Sequence, residues 1–308
     1  MAERVTTRER MRRGEALGRE DLRERAGAAT DVITSRENKW LKKFRGVLRG
    51  KGPEAGEPLG LEGPKLIEEG IRAGLEAEAL LVSNAGEREL EGIFRAASES
   101  EPGIPRSQIL RTTDKLFAGV AGTETPQGVA GLFRARMWGF EDVLRGAASR
   151  EGAYRGEPSL LVVMAGVQDP GNVGTIVRSA EAFGATGAVA ARGTADPWSP
   201  KALRASAGSA LRLPVLRGVA LAVLLAQLKT AGLKIFATKA GASEAREIRQ
   251  DLTQSCAIFI GNEGAGLPAE LASASDGTIA IPMSEQVESL NAGIAAAIVL
   301  YEASRQRR

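Results

Sequence analysis

The sequence predicts an α/β protein in which a small N-terminal α/β layer domain precedes a larger parallel sheet covered by helices on both faces. Three observations carry that expectation. From residue 160 to the end, short apolar runs alternate with helical stretches, the rhythm of parallel strands joined by crossover helices. Residues 61–135 repeat the rhythm with shorter pieces. The composition, 43% hydrophobic and 26% charged, is that of a globular chain, and no apolar run reaches the roughly 18 residues needed to span a bilayer.

Residues 1–30 mix Arg, Glu, Gly and Ala with few large apolar side chains. They bury little surface and read as a solvated, disordered tail. With frequent acids and no apolar stretch, the tail reads as neither a secretory signal nor a transit peptide. From 36 to 49 the apolar residues Trp40, Leu41, Phe44, Val47 and Leu48 follow the i, i+1, i+4, i+7, i+8 spacing of one helix face. Residues 36–51 also hold seven Lys or Arg against one acid, while the rest of the chain holds 34 basic against 37 acidic residues. One short segment therefore carries the whole positive excess of a chain whose net charge is +3. That asymmetry points to an RNA-contacting element. A Gly/Pro-rich break follows over 50–60.

The small domain continues with a helix at 64–73, a strand at 79–83, a helix at 87–97, a short strand at 108–111, a helix at 113–119 and a strand at 129–133. A connector of moderate helicity, rich in Gly, Arg and Glu, spans 138–157. The second half reads as strand 160–165, helix 172–183, strand 188–191, helix 200–207, strand 213–216 and helix 219–231. Strands at 234–238 and 257–260, a helix at 268–274, a strand at 278–281 and a helix at 290–304 complete it. The expected division is a tail over 1–30, a first domain over 31–137, the connector, and a second domain over 158–308.

The chain has one cysteine, Cys256, and no histidine. That excludes a disulfide framework, a Cys/His zinc site and any triad built on histidine. It fits a cytoplasmic compartment. Acid–base work, if any, falls to carboxylates, lysine, arginine, tyrosine or the substrate itself.

In open α/β sheets ligands collect beyond the carboxyl ends of the strands, and three loops stand there. The first runs from Asp169-Pro170-Gly171-Asn172 through Gly174 to Arg178. Asn172 is expected to cap the following helix, and Gly174 to admit another backbone. Arg178 lies six positions after Asn172, about one and two-thirds turns on, so a regular helix points the two apart. The second loop, Gly261-Asn262-Glu263-Gly264-Ala265-Gly266-Leu267, is neither a dinucleotide fingerprint nor a P-loop. The third, from Ile281-Pro282-Met283 to Ser289-Leu290-Asn291, leads into a helix rich in Ala and Gly, with Ser289 a natural N-cap. Each loop alone is equally compatible with a helix cap or a tight turn.

Together, and in this order, N-x-G-x-x-x-R-[SA]-A, G-N-E-G-x-G-L and I-P-M…S-L-N resemble the three motifs of the SpoU/TrmH family of RNA ribose methyltransferases. The resemblance covers about residues 160–305. The N-terminal part is similar to the ribosomal-protein-like RNA-binding domain of some members, through Ser35-Arg36-Glu37-Asn38-Lys39, the stretch from Leu61-Glu62-Gly63-Pro64 to Gly70, and Thr125-Pro126-Gln127-Gly128-Val129.

The resemblance implies a trefoil-knotted parallel-sheet domain of the SPOUT class, a rare chain path. It implies S-adenosylmethionine as methyl donor, no metal, and a homodimer with the final helix in its interface. Gly261, Ile281 and Leu290 would line the cofactor pocket, Glu263 would shape the second loop, and Thr238 is a weaker candidate for the adenosine side. Arg178, Asn172, Ser289 and Asn291 match the positions around the acceptor ribose. A guanidinium is a poor general base, so Arg178 better suits holding the RNA phosphate and orienting the ribose, although the activated-arginine role proposed for the family stays open. Arg36, Asn38, Lys39, Lys42 and Lys43 would contact the RNA backbone. Ribosomal RNA is favoured over transfer RNA by the appended domain. Two other classes remain to be weighed. A non-catalytic RNA binder that keeps the fold should have lost Arg178 or the 261–266 loop, and both are present. A Rossmann-type NAD enzyme should carry a glycine fingerprint after strand 160–165, and residues 166–174 do not supply it.

Overall fold

The computed structural model describes residues 32–50, 52–54, 56–99, 109–147, 157–239, 248, 250–262, 264, 266–284 and 286–308. The tail expected over 1–30 lies outside them.

Helix α1 (Lys39–Leu48) forms where the apolar spacing predicts it. The Asn38 side-chain oxygen accepts the Trp40 amide at 2.8 Å, and Leu41, Phe44 and Leu48 are buried. The next element, β1 (Pro58–Glu62), falls largely in the stretch expected to be a Gly/Pro break. Both residues that disguise it have a place. β1 is an edge strand, where Pro58 at the first position is tolerated. Gly60 lies under α1, so closely that a Cβ there would stand 2.7 Å from a Val47 methyl. Then come α2 (Pro64–Arg72), β2 (Ala77–Ser83), a 3-10 turn (Asn84–Glu89), α3 (Leu90–Ser98), β3 (Ile109–Thr112), α4 (Asp114–Val120) and β4 (Val129–Arg134). The strands form a mixed sheet of order β1-β4-β2-β3, with only β2 and β3 parallel. Helices α1 and α4 pack on one face, and α2 and α3 on the other.

The connector contains α5 (Phe140–Arg145). Its Val143 is fully buried against Gly187, where a Cβ would come within 2.5 Å of it. The second sheet is built from β5 (Leu160–Ala165), α6 (Pro170–Ala182), β6 (Gly187–Ala191), α7 (Pro200–Ala205), α8 (Ser209–Arg212), β7 (Val215–Val219), α9 (Leu221–Thr230), β8 (Lys234–Lys239), β9 (Cys256–Gly261), α10 (Ala269–Ala274), β10 (Gly277–Ala280) and α11 (Ala292–Gln306). Helix α8 is absent from the sequence reading, and β7 begins two residues later than expected. Its order is β10-β8-β9-β5-β6-β7, every pairing parallel. Alternate residues of β5 enter opposite cores. Leu160, Val162 and Met164 meet α6, α7 and α11 on one side. Leu161 and Val163 meet α5, α9 and α10 on the other. This period-2 burial on both faces explains the continuous apolar run. The strand order reverses at β5, between β6 and β9, which opens a crevice at the carboxyl ends of β5 and β9.

The two sheets do not stand apart. One continuous apolar core runs from Leu61, Ile67 and Ile71 to Leu203 and Leu211. At its rim Arg212 grips Glu181 of α6 through two hydrogen bonds, 2.7 and 2.8 Å, and also pairs with Glu69 of α2. Arg217 bonds Asp196 and reaches the Pro53 carbonyl. Among the described residues no helix is long and apolar enough to cross a membrane.

Candidate active site

All six strands of the second sheet run the same way, so the three motif loops share one edge of it. Two asparagines knit them together. Asn262, at the end of β9, donates its side-chain amide to the Gly166 carbonyl after β5, at 3.1 Å. Its side-chain oxygen accepts the Gly264 amide at 2.9 Å, and its backbone exchanges two hydrogen bonds with Gly266. Asn291 accepts the amides of Gly293 and Ile294 through Oδ1, which starts α11, and donates through Nδ2 to Asn172 Oδ1 at 3.0 Å. The second loop is thereby fastened to the first, and so is the third.

Both expected caps are corrected. Asp169, not Asn172, caps α6, accepting the Gly171 amide at 2.8 Å. Pro170 then occupies the first helical position, which suits its fixed φ, and Asn172 sits inside the first turn with its side chain turned to Asn291. Asn291, not Ser289, caps α11. Ser289 stays two residues outside the helix, exposed at the pocket mouth. Gly174 does admit another backbone. A Cβ there would lie 2.3 Å from the Ala202 carbonyl oxygen, so α6 and α7 pack main chain to main chain.

Beneath the knitted loops lies a concavity of about 590 Å³, counting its open mouth and the solvent in it. Gly261, Ile281, Leu290, Ser289 and Thr238 line it, together with Asn262 and the apolar Ile260, Leu267, Ile279 and Met283. A side chain at Gly261 would press its Cβ to 2.6 Å from the Gly266 carbonyl carbon, so only glycine lets the loop fold back over β9. The Thr238 hydroxyl is tied to the Phe259 carbonyl at 2.8 Å and joins β8 to β9. Glu263 lies outside the described residues. Asn262 is the residue that sequence reasoning passed over, although it stands inside the quoted motif; its role needs the fold-back at Gly266 to become visible.

Arg178 is exposed on α6 and makes no hydrogen bond or ion pair with a described residue. Helix α6 is regular, so Arg178 points about 120° around the axis from Asn172. The structure brings Asn172, Asn291, Ser289 and the pocket together, and leaves Arg178 beside them on another face. Of the basic set on the first domain, Asn38 is the cap of α1. Lys42 pairs with Glu37, and Lys43 pairs with Glu78 at 3.0 Å while lying over the Trp40 ring. Arg36 and Lys39 are exposed with no ion pair to a described residue.

Charge around the site is ordered. Lys201 of α7 bonds Asp169 at 2.7 Å, and this bond with the Gly171 amide holds the Asp169 carboxyl below its ordinary pKa. Burial works to raise the Glu181 carboxyl, but hydrogen bonds from Arg212 and Ser209 outweigh it and hold it low. Among the described residues no cluster of three or more His, Cys, Asp or Glu could hold a metal ion.

The chain is similar to known proteins over both of its sheets. Residues 159–301 match the SpoU rRNA methylase family, and residues 51–131 match the MRM3-like substrate-binding domain. The chain is 32% identical over 270 residues to the 23S rRNA (guanosine(2553)-2'-O)-methyltransferase RlmP of Bacillus subtilis (strain 168), covering 87% of this chain and 97% of that one. An AdoMet-bound rRNA methyltransferase from Sinorhizobium meliloti superposes with a TM-score of 0.72 at 28% identity, over 89% of this chain and 97% of the other. An RNA 2'-O ribose methyltransferase superposes at 0.70 with 30% identity, over 89% and 98%. The chain belongs to the SpoU rRNA methylase family of RNA methyltransferases, with an MRM3-like substrate-binding domain ahead of its parallel-sheet domain.

Proposed function

We propose that the protein transfers a methyl group from S-adenosylmethionine to a ribose 2'-hydroxyl of ribosomal RNA, in the cytoplasm and as a homodimer. The observation that carries this reading is the joining of the three motif loops by Asn262 and Asn291 over one apolar pocket. The residues present fit the cofactor. Leu267, Ile279, Ile281 and Leu290 offer apolar walls for an adenine, and the glycine-bared backbone at 261 leaves polar main-chain groups at the rim. When bound, S-adenosylmethionine supplies a methyl group on a sulfonium, a leaving group good enough that orientation does most of the work.

The chain's own residues then have to hold the ribose. Asn172 and Asn291, locked to each other, and Ser289 at the mouth are the polar groups placed to do it. Arg178, exposed and without a partner among the described residues, is placed to take an RNA phosphate with a charge-assisted hydrogen bond. We assign residues 31–137 to substrate binding, 138–157 to the connector and 158–308 to methyl transfer. The loops around 261–268 and 281–291 are the segments that would close a trefoil knot. Arg36, Lys39, Lys42 and Lys43 would touch the RNA backbone. Similarity to a 23S rRNA methyltransferase and the substrate-binding match favour ribosomal over transfer RNA.

The dimer reading rests on α11. Ile294, Ile298 and Tyr301 are 53%, 37% and 55% exposed and stand at i, i+4 and i+7, one apolar stripe. Such a stripe is covered in most stable assemblies. Tyr301 meets the ring of Phe183, the residue that follows α6, edge-on at 5.7 Å, so the stripe adjoins the helix that carries Arg178.

Calorimetric titration with S-adenosylmethionine and, separately, NAD tests the cofactor. Binding of the first alone is expected. Binding of NAD alone would overturn the reading.

A further inference from the structure

We infer that the RNA strand reaches the methyl-transfer site through the cleft between the two domains, with its phosphates held by Arg204 and Lys201 of α7. This rests on the RNA methyltransferase reading above. The cleft encloses about 1320 Å³ including its open side. One wall is the end of α1 with the 121–124 loop, and the other is α7 with Pro170 at the start of α6. Pro170 is two residues from Asn172, so the second wall ends where the acceptor site begins.

Hydrogen bonds hold the first wall and tie it to the second. The buried Glu62 carboxylate accepts the Gly122 amide at 2.7 Å and the Thr123 hydroxyl, which pins the 121–124 loop. Arg49 donates to the Ala121 carbonyl at 3.0 Å. The spacing between the walls is set by Arg217, reaching from Asp196 to the Pro53 carbonyl, and by Arg212, bridging Glu69 and Glu181. A ligand entering a cleft fixed in this way loses little to ordering the protein.

The charges are lopsided. Arg204 is exposed, makes no hydrogen bond or ion pair with a described residue, and lines the neighbouring groove as well. Lys201 is engaged by Asp169, yet its side chain remains 60% exposed. Asp196, just ahead of α7, is neutralised by Arg217, and on the first wall exposed Arg49 and exposed Glu124 offset each other. A polyanion in the cleft is drawn to α7, past Pro170 and on to Asn172. The segment it takes is a looped-out or unpaired one, the form in which RNA is most readily handled base by base.

The test is fluorescence anisotropy of the full chain with a ribosomal RNA fragment across a salt series, paired with methylation rates and S-adenosylmethionine calorimetry. Arg204→Ala should reduce the slope of log Kd against log salt by about 0.7, the share of one single-strand phosphate. Arg204→Glu should weaken RNA binding on the order of tenfold at low salt, and Glu124→Lys on the opposite wall should tighten it. Cofactor affinity should not move in any of them. RNA affinity and methylation within about twofold of wild type in both Arg204→Glu and Glu124→Lys would overturn the cleft path. A wild-type protein that neither binds nor methylates ribosomal RNA would overturn the underlying reading, and the path with it.

Discussion

Asn291 does two jobs with one side chain: its oxygen starts α11 and its nitrogen holds Asn172. The two are separable by substitution. Asn291→Asp keeps a good cap but cannot donate to Asn172, so thermal stability should hold while methylation falls. Asn291→Ala loses both and should also cost about 1 kcal/mol of stability, read from denaturant unfolding. Equal activity in the two variants and wild type would remove Asn291 from the acceptor site. Gly261→Ala should abolish S-adenosylmethionine binding in calorimetry, because its Cβ meets main chain that cannot step aside. Arg178→Ala should leave that binding intact and lower turnover by about 10²-fold, as loss of a group that positions the substrate does. Sequence reading named Asn291 and Asn172 but gave the caps to Ser289 and Asn172. Ser, Asp and Asn are nearly equal as caps, and only the backbone decides which one stands at the first turn.

At the scale of elements, the alternation of strands and helices was legible because buried parallel strands are continuous apolar runs and their helices are not. β1 was not legible. Its Pro58 and Gly60 are turn residues by type, and they are tolerated here by an edge position and by the close approach of α1. Helix α8 was hidden for a different reason: it is four residues long and follows Ala207 and Gly208, both at positive φ. That tight turn aims Arg212 at Glu69 and Glu181. Because the Glu181 carboxyl is held below its ordinary value of 4.5, the link is complete above that value and is lost as pH falls through the lowered one. Glu181→Gln should therefore flatten the fall in melting temperature on the acid side of pH 4.5, measured by scanning calorimetry. An acid limb identical to wild type would show that this carboxyl does not support the fold.

At the scale of the whole molecule, one apolar core joins both sheets, and Arg212 and Arg217 fasten them. Long-range packing of this kind leaves no periodic trace in a sequence. The exposed α11 stripe makes a further prediction. Replacing Ile298 with Asp should convert a dimer to a monomer in analytical ultracentrifugation, and a wild-type protein that sediments as a monomer at all concentrations would contradict the assembly.

The ribose hydroxyl, and not a base, receives the methyl group in the proposed reaction. The direct measurement is to incubate the protein with ribosomal RNA and S-adenosylmethionine labelled in its methyl group, then hydrolyse the RNA in alkali. A methylated 2'-hydroxyl cannot attack the neighbouring phosphate, so the label should emerge in an alkali-resistant dinucleotide. Label emerging in mononucleotides would place the methyl on a base and contradict the account.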